Sequence, residues 1–337
     1  MRLSIIICTR NRAAGLKETL EAAIASIALA PDTELLVVDN GSSDDTRTVV
    51  SELVGIHSCL RYHFVEEPGL SNARNAGLAL AEGDIIAFLD DDAIPEPGWA
   101  SGILDTFSDP EIVAVGGRAV LEWSEAKPEW FPSEFECYFA PYDLGGKICE
   151  VTDEHYPVGA NMAFRRFVFD KLGGFDTRLG YSGEAKFGWE DIEMFYRISQ
   201  IGGKIVYQPS ALVHHKVGAE KVTRSYIKKR LFAEGYGYVY YKYIREHPSK
   251  KQISADMHCQ LRKIGEVFLF HTKWFAKHGS LEYKYKMDTL REWGKLCALT
   301  HWWKNSCNCS ELKWSTKTNA SCCRLIPTLD GGHEKGL

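Results

Sequence analysis

Three short, almost continuously apolar runs, separated by segments of helical spacing, limit what this chain can fold into. Residues 3–8, 35–38 and 85–89 read as buried strands, and residues 61–65 add a fourth. Residues 16–29, 44–54 and 71–81 carry apolar side chains at helical intervals between them. Strands that are apolar throughout, rather than on alternate residues, belong to a parallel sheet covered on both faces. The expected order is βαβαβαβ, an α/β fold of nucleotide-binding style.

Further along, residues 122–156 form a long excursion rich in Trp, Phe and Tyr, and loops of that length often carry function. A helix over 187–201 closed by Gly202-Gly203 and a strand over 204–207 are then expected. Beyond that the chain turns basic and aromatic, with helices at 225–245 and about 255–298.

The net charge of −5 hides a division between residues 1–218, which carry 18 Lys+Arg against 34 Asp+Glu, and residues 219–337, which carry 22 against 11. We therefore expect a catalytic domain at 1–218 and a basic, mainly helical extension with a poorly defined tail at 219–337. No apolar run approaches the roughly 20 residues needed to span a bilayer, and no secretory pattern opens the chain. A cytoplasmic protein is expected, or one peripheral at the inner face of the cytoplasmic membrane. The 10 cysteines are irregularly spaced and read as reduced thiols. Cys307, Cys309, Cys322 and Cys323 lack the paired C-x-x-C spacing of a zinc site.

Ligands of open parallel sheets bind at the carboxyl ends of the strands. Those ends hold Thr9-Arg10-Asn11-Arg12, Asp39-Asn40-Gly41-Ser42-Ser43-Asp44 and Asp90-Asp91-Asp92. Three consecutive carboxylates after a buried strand are costly unless a cation neutralises them, and a hard dication such as Mg²⁺ or Mn²⁺ fits oxygen ligands. The alternative is a solvated acidic turn. No Gly-rich phosphate loop follows strand one, which argues against a dehydrogenase, a P-loop ATPase or a nucleotidyltransferase.

The segments SIIICTRNR, ELLVVDNGSSDDT and GLSNARNAGLALAEGDIIAFLDDDAIPEPGW, followed by VGANMAFRR at 158–166, GWEDIEMFYRI at 188–198 and PSALVHHKV at 209–217, resemble family 2 of the glycosyltransferases in that order. The resemblance covers roughly residues 1–217. It implies a GT-A nucleotide-diphospho-sugar transferase fold, a Rossmann-like and mostly parallel sheet, with transfer from a nucleotide-sugar to an acceptor hydroxyl with inversion. It further implies that Thr9, Arg10, Asn11, Asp39, Ser42, Asp44, Arg74 and Asp90 line the nucleotide-sugar site, with Asp39 reading the base edge of a uridine-type nucleotide. Asp92 and His215 would hold Mn²⁺ or Mg²⁺, although the triple Asp leaves the register open and Asp91 could share these roles. Gly159, Asn161, Trp189 and Glu190 would lie on the acceptor or donor-sugar side. Asp191 would be the general base, since an acceptor hydroxyl is a poor nucleophile until its proton is accepted. Without the resemblance, Glu190, Asp191 and Glu193 read as the acidic first turn of a helix.

The implied acceptor is a polysaccharide, lipid-linked glycan or other glycoconjugate of cell-envelope type. Basic residues interleaved with Tyr226, Phe232, Tyr236, Tyr240, Phe268, Phe270, Trp274, Trp302 and Trp303 suit an anionic membrane surface, or else packing within the protein. No nucleic-acid module accompanies the charge. A non-catalytic nucleotide-sugar or glycan-binding protein is the alternative of a different class.

Overall fold

The computed structural model describes residues 1–305 apart from 31, 153–154, 183–186 and 275–278. The cysteine-rich segment from Cys307 onward lies outside the described residues. Contacts divide the chain into a first unit of Met1–Ser182 and Gly188–Ile227 and a second that continues from Lys228, so the first unit extends past residue 218.

In the first unit β1 (Leu3–Thr9), β2 (Thr33–Asp39), β3 (Leu60–Phe64) and β4 (Ile85–Asp90) pair in parallel in the order β3-β2-β1-β4. The crossovers run through α1 (Ala13–Ser26), α2 (Thr46–Val54) and α3 (Leu70–Leu80), close to the helices expected from the sequence. Helix α1 buries Leu16, Leu20 and Ala23, the three- and four-residue spacing of one helical face. The interior of β1, apart from half-buried Cys8, and of β4 is buried, as the continuous apolar runs require.

Beyond β4 the sheet departs from the purely parallel expectation. It continues through β8 (Asn161–Arg165) and β6 (Ile112–Trp123) to β9 (Lys204–Val217) and β5 (Ala93–Pro95), and the two-residue β7 (Cys149–Glu150) also pairs with β9. Strand β8 runs antiparallel to both β4 and β6, whereas β6 and β9 are parallel. Strand β9 is 14 residues long rather than the expected four. Pro209 reads as a strand end because it lacks an N–H. Here a register shift opposite, between Gly117 and Ala119 of β6, absorbs the irregularity and pairing resumes at Val213.

Helices α4 (Trp99–Thr106) and α5 (Arg166–Leu172) complete this layer, and α6 (Glu190–Gln200) starts three residues after the expected position. The 122–156 excursion carries a small aromatic cluster: the Trp123 ring lies 5.6 Å from Phe131 and 5.5 Å from Phe139, and Phe139 stacks on Tyr226.

The second unit is helical. Helix α7 (Arg224–Glu246) leads into it, and the helical stretch expected at about 255–298 holds two helices, α8 (Lys250–Trp274) and α9 (Gly279–Asn305). Gln260 of α8 donates to the Glu292 carboxylate of α9 at 2.7 Å. Gly235 of α7 lies where a Cβ would collide with the Arg291 carbonyl of α9, so the two backbones meet directly. Phe232, Tyr236 and Tyr240, which suited either a membrane surface or packing within the protein, are buried and pack; Trp303 is exposed, with the Lys250 ammonium 5.7 Å from its ring centre. Among the described residues no helix is long and apolar enough to cross a membrane.

Candidate active site

Parallel register aligns the carboxyl ends of the central strands: Thr9 of β1 pairs with Asp39 of β2, and Cys8 pairs with Asp90 of β4. Polar residues held far apart in sequence therefore share one crevice. The chain then bends through Asp91 and Asp92 into β5, whose Ala93 is registered opposite His215 of β9.

This geometry separates the three carboxylates. Asp91 accepts a 2.6 Å hydrogen bond from the Thr9 hydroxyl and lies 3.5 Å from the Arg12 guanidinium. Burial and the neighbouring Asp92 charge push its carboxyl up to about 6. Asp90 and Asp92 instead share a cluster with His215, their ligand atoms all within 4.8 Å of one another. His215 Nε2 is 3.0 Å from Asp92, Lys221 Nζ is 2.7 Å from it, and the Arg12 guanidinium also pairs with it. Burial alone would raise the Asp92 carboxyl, but His215, Lys221 and Arg12 together hold it below the usual carboxylate range. The other imidazole nitrogen, His215 Nδ1, is buried with no hydrogen-bond partner. Two carboxylates, an imidazole and an unsatisfied ring nitrogen suit a dication of the Mn²⁺ or Mg²⁺ kind, so this group could hold a metal. His214 points elsewhere, 2.8 Å from Glu96, because neighbours on a strand face opposite sides.

Arg74 joins this cluster to the start of α6. Its side chain is 3% exposed; Nη1 lies 2.6 Å from Glu190, and Nη2 lies 3.5 Å from Asp90 and 3.3 Å from the Gly159 carbonyl. Such burial of a guanidinium requires the acidic partners it has. Burial and the adjacent Asp191 charge push Glu190 up to about 7 against the pull of Arg74. Asp191 is half-buried, and its two oxygens accept hydrogen bonds from the Gly159 N–H at 2.6 Å and the Ile192 N–H at 2.8 Å. Trp189 precedes α6 with a left-handed backbone, φ +80°, and so turns the chain into the helix with Glu190 and Asp191 in its first turn.

A Cβ at Gly159 would lie 2.7 Å from Arg74 Nη2 and 3.0 Å from Asp191 Oδ2. Gly159→Ala is therefore expected to cost roughly 1–3 kcal/mol of stability, as overpacking does, and to displace Asp191. A lowered melting temperature together with reduced turnover is the expected result; wild-type values for both would contradict it.

The second-strand loop is tightly tied. Asp39 is 1% exposed and accepts hydrogen bonds from the Ser42 N–H and the Tyr62 hydroxyl, both at 2.8 Å. The Asn11 N–H donates to Ser42 Oγ at 2.9 Å from a left-handed backbone, φ +52°. Arg10 is exposed beside it.

Two residues expected to touch substrate are engaged in holding the fold. Asn161 is fully buried: its amide donates to the Arg118 and Ala211 carbonyls, and its oxygen accepts from the Trp99 indole. Asp44 accepts the N–H groups of Ala13 and Thr46, both 3.1 Å away, and so caps the starts of α1 and α2. Arg12, Tyr62 and Lys221 also contact the site carboxylates, although no motif in the sequence assigns them a role. Arg12 was visible as a second basic residue at the end of strand one. Lys221, six residues after His215, carried no signal of its own.

Residues 4–173 match the family described as glycosyl transferase family 2. A glucosyl-dolichyl phosphate glucuronosyltransferase of Haloferax volcanii is 32% identical over 241 residues, spanning 70% of this chain and 76% of that one. The chain belongs to glycosyl transferase family 2. A pre-mycofactocin glycosyltransferase of Mycobacterium tuberculosis is 29% identical over 237 residues, and the match covers 69% of this chain and 46% of that protein. Among solved structures, a mannosyltransferase from Pyrobaculum calidifontis in complex with GDP-Man and Mn²⁺ aligns with a TM-score of 0.53 at 18% identity, covering 96% of this chain and 79% of the other. GalNAc-T7 with UDP, GalNAc and Mn²⁺ also gives 0.53, at 17% identity, with 69% and 47% covered. The fold is that of the GT-A glycosyltransferases, and the chain is a glycosyltransferase.

Proposed function

We propose that this family 2 enzyme moves a sugar from a nucleotide-diphosphate donor to an acceptor hydroxyl with inversion, with Asp191 as general base. The observation that carries the reading is the arrangement around Arg74, whose Nη2 reaches both Asp90 of the Asp–Asp–His group, at 3.5 Å, and the carbonyl of Gly159, at 3.3 Å, while the Gly159 N–H orients Asp191. Asp191, held by two backbone N–H groups, accepts the proton of the acceptor hydroxyl while that oxygen bonds to the anomeric carbon. The bond from that carbon to the diphosphate oxygen breaks on the opposite face, and a single displacement inverts the centre. A divalent metal held by Asp92, His215 and Asp90 would supply positive charge against the leaving diphosphate. The test is turnover of a panel of nucleotide-sugars with Mn²⁺, with Mg²⁺ and in chelator; release of nucleotide from none of them would count against the assignment.

Asp39 supports a uridine-type donor. Its carboxylate accepts two hydrogen bonds and keeps lone-pair capacity for a third, such as a uracil N–H. A bond to a charged acceptor amounts to about 1.5–3 kcal/mol, so UDP is expected to bind at least about tenfold more tightly than ADP. Equal calorimetric affinities would remove Asp39 from base reading. GDP is a further candidate.

The acceptor is proposed to be a glycan, and a lipid-linked one is favoured by the name of the haloarchaeal relative. The +11 balance of residues 219–337 (22 Lys+Arg against 11 Asp+Glu) and exposed Trp303 support peripheral association with an anionic membrane. Co-sedimentation with anionic liposomes that weakens with salt is expected. Protein left in the supernatant at low salt would refute it.

A further inference from the structure

Asp92 is surrounded by more positive charge than a lone metal ligand needs. Lys221 Nζ is 2.7 Å away, the Arg12 guanidinium pairs with the same oxygen, and His215 holds the other oxygen at 3.0 Å. Asp90, Asp91 and Asp92 already face Arg12, Lys221 and Arg74, the last shared with Glu190. A dication entering alone would have to compete with two cations for Asp92. The same dication entering with a diphosphate would not, because Arg12 and Lys221 could turn from Asp92 to the phosphate oxygens.

Both side chains can make that change. Lys221 sits on the single helical turn after β9, and Arg12 on the turn from β1 into α1. Their side chains are 21% and 28% exposed, against 3% for Arg74, which is locked by Glu190. A lysine ammonium on a flexible stem re-aims at little cost.

We propose that Arg12 and Lys221 form a charge clamp on Asp92 that competes with the metal and passes to the donor's diphosphate, so that metal and nucleotide bind as a coupled pair. The proposal rests on reading Asp92 and His215 as metal ligands. Coupling of this kind is reciprocal: whatever the nucleotide does for metal affinity, the metal does equally for nucleotide affinity.

The test is Mn²⁺ binding to the full chain, followed through the electron paramagnetic resonance of free Mn²⁺, with and without UDP or GDP, in wild type, Lys221→Met and Lys221→Arg. Wild type is expected to bind Mn²⁺ weakly alone and about 5–150-fold more tightly with nucleotide, the usual span of such couplings. Lys221→Met should bind Mn²⁺ alone more tightly than wild type, bind nucleotide more weakly, and show a smaller coupling. Lys221→Arg, which keeps the charge, should resemble wild type, and equal melting temperatures would exclude a folding defect. If Mn²⁺ binding is present and is lost in Asp92→Ala, but Lys221→Met does not tighten it, the clamp is wrong and the metal reading stands. If no protein takes up Mn²⁺ with either nucleotide, both are wrong.

Discussion

Replacing Asp191 by asparagine is expected to lower turnover by about 10²–10⁴-fold while leaving nucleotide affinity close to that of wild type, the range found when a positioned base is removed. Both Asp191 oxygens are oriented by backbone N–H groups, from Gly159 and Ile192, so the side chain is fixed before any substrate arrives. Asparagine has nearly the same shape and can still accept one of those bonds, but it cannot take the proton of a hydroxyl. The effect should therefore fall on kcat, with KM for the donor little changed. Near-wild-type turnover in the variant would exclude Asp191 as the base, and Glu190 would be the next group to test, since its carboxyl is buried against Arg74.

Asp92→Ala should act differently, on binding and turnover together. Asp92 is the partner common to His215, Arg12 and Lys221, so its removal takes away a proposed metal ligand and leaves those three groups without their shared counter-charge. Losing one electrostatic partner of a developing charge typically costs about 10²–10³ in rate. A loss of at least that size is expected, together with weaker donor binding by calorimetry. Chelator should mimic the variant in the wild-type protein, and added Mn²⁺ or Mg²⁺ should restore it. Undiminished activity in chelator would reduce the acidic triplet to a turn.

The two substitutions probe parts of the site that were unequally legible in the sequence. Asp191 could be placed because the first turn of α6 is a local feature. Residues 188–198 combine a turn, three acids and a helical apolar face within 11 positions, and the structure places Glu190 and Asp191 in the first turn there. The acidic triplet could likewise be placed at the end of a strand, because the apolar run before it is continuous. Which of its carboxylates stand together was not readable. That depended on the chain bending at Asp91 toward Thr9 and Arg12, which leaves Asp90 and Asp92 beside His215.

The sequence by itself determined the β1–β4 half of the sheet and put Thr9, Asp39 and Asp90 at its edge. Burial on both faces of a parallel strand imposes a continuous apolar run, and that run is visible residue by residue. The tertiary structure alone decided the rest. Strand β8 enters antiparallel between β4 and β6, β9 continues past Pro209, and only that continuation turns His215 rather than His214 toward Asp92. Lys221 and Arg12, more than 200 residues apart, meet on one carboxylate for the same reason. Local pattern reports whether a residue is buried. Which distant strand lies beside it depends on long-range pairing and register, and in β9 a single shift in that register decides which of two adjacent histidines faces the site.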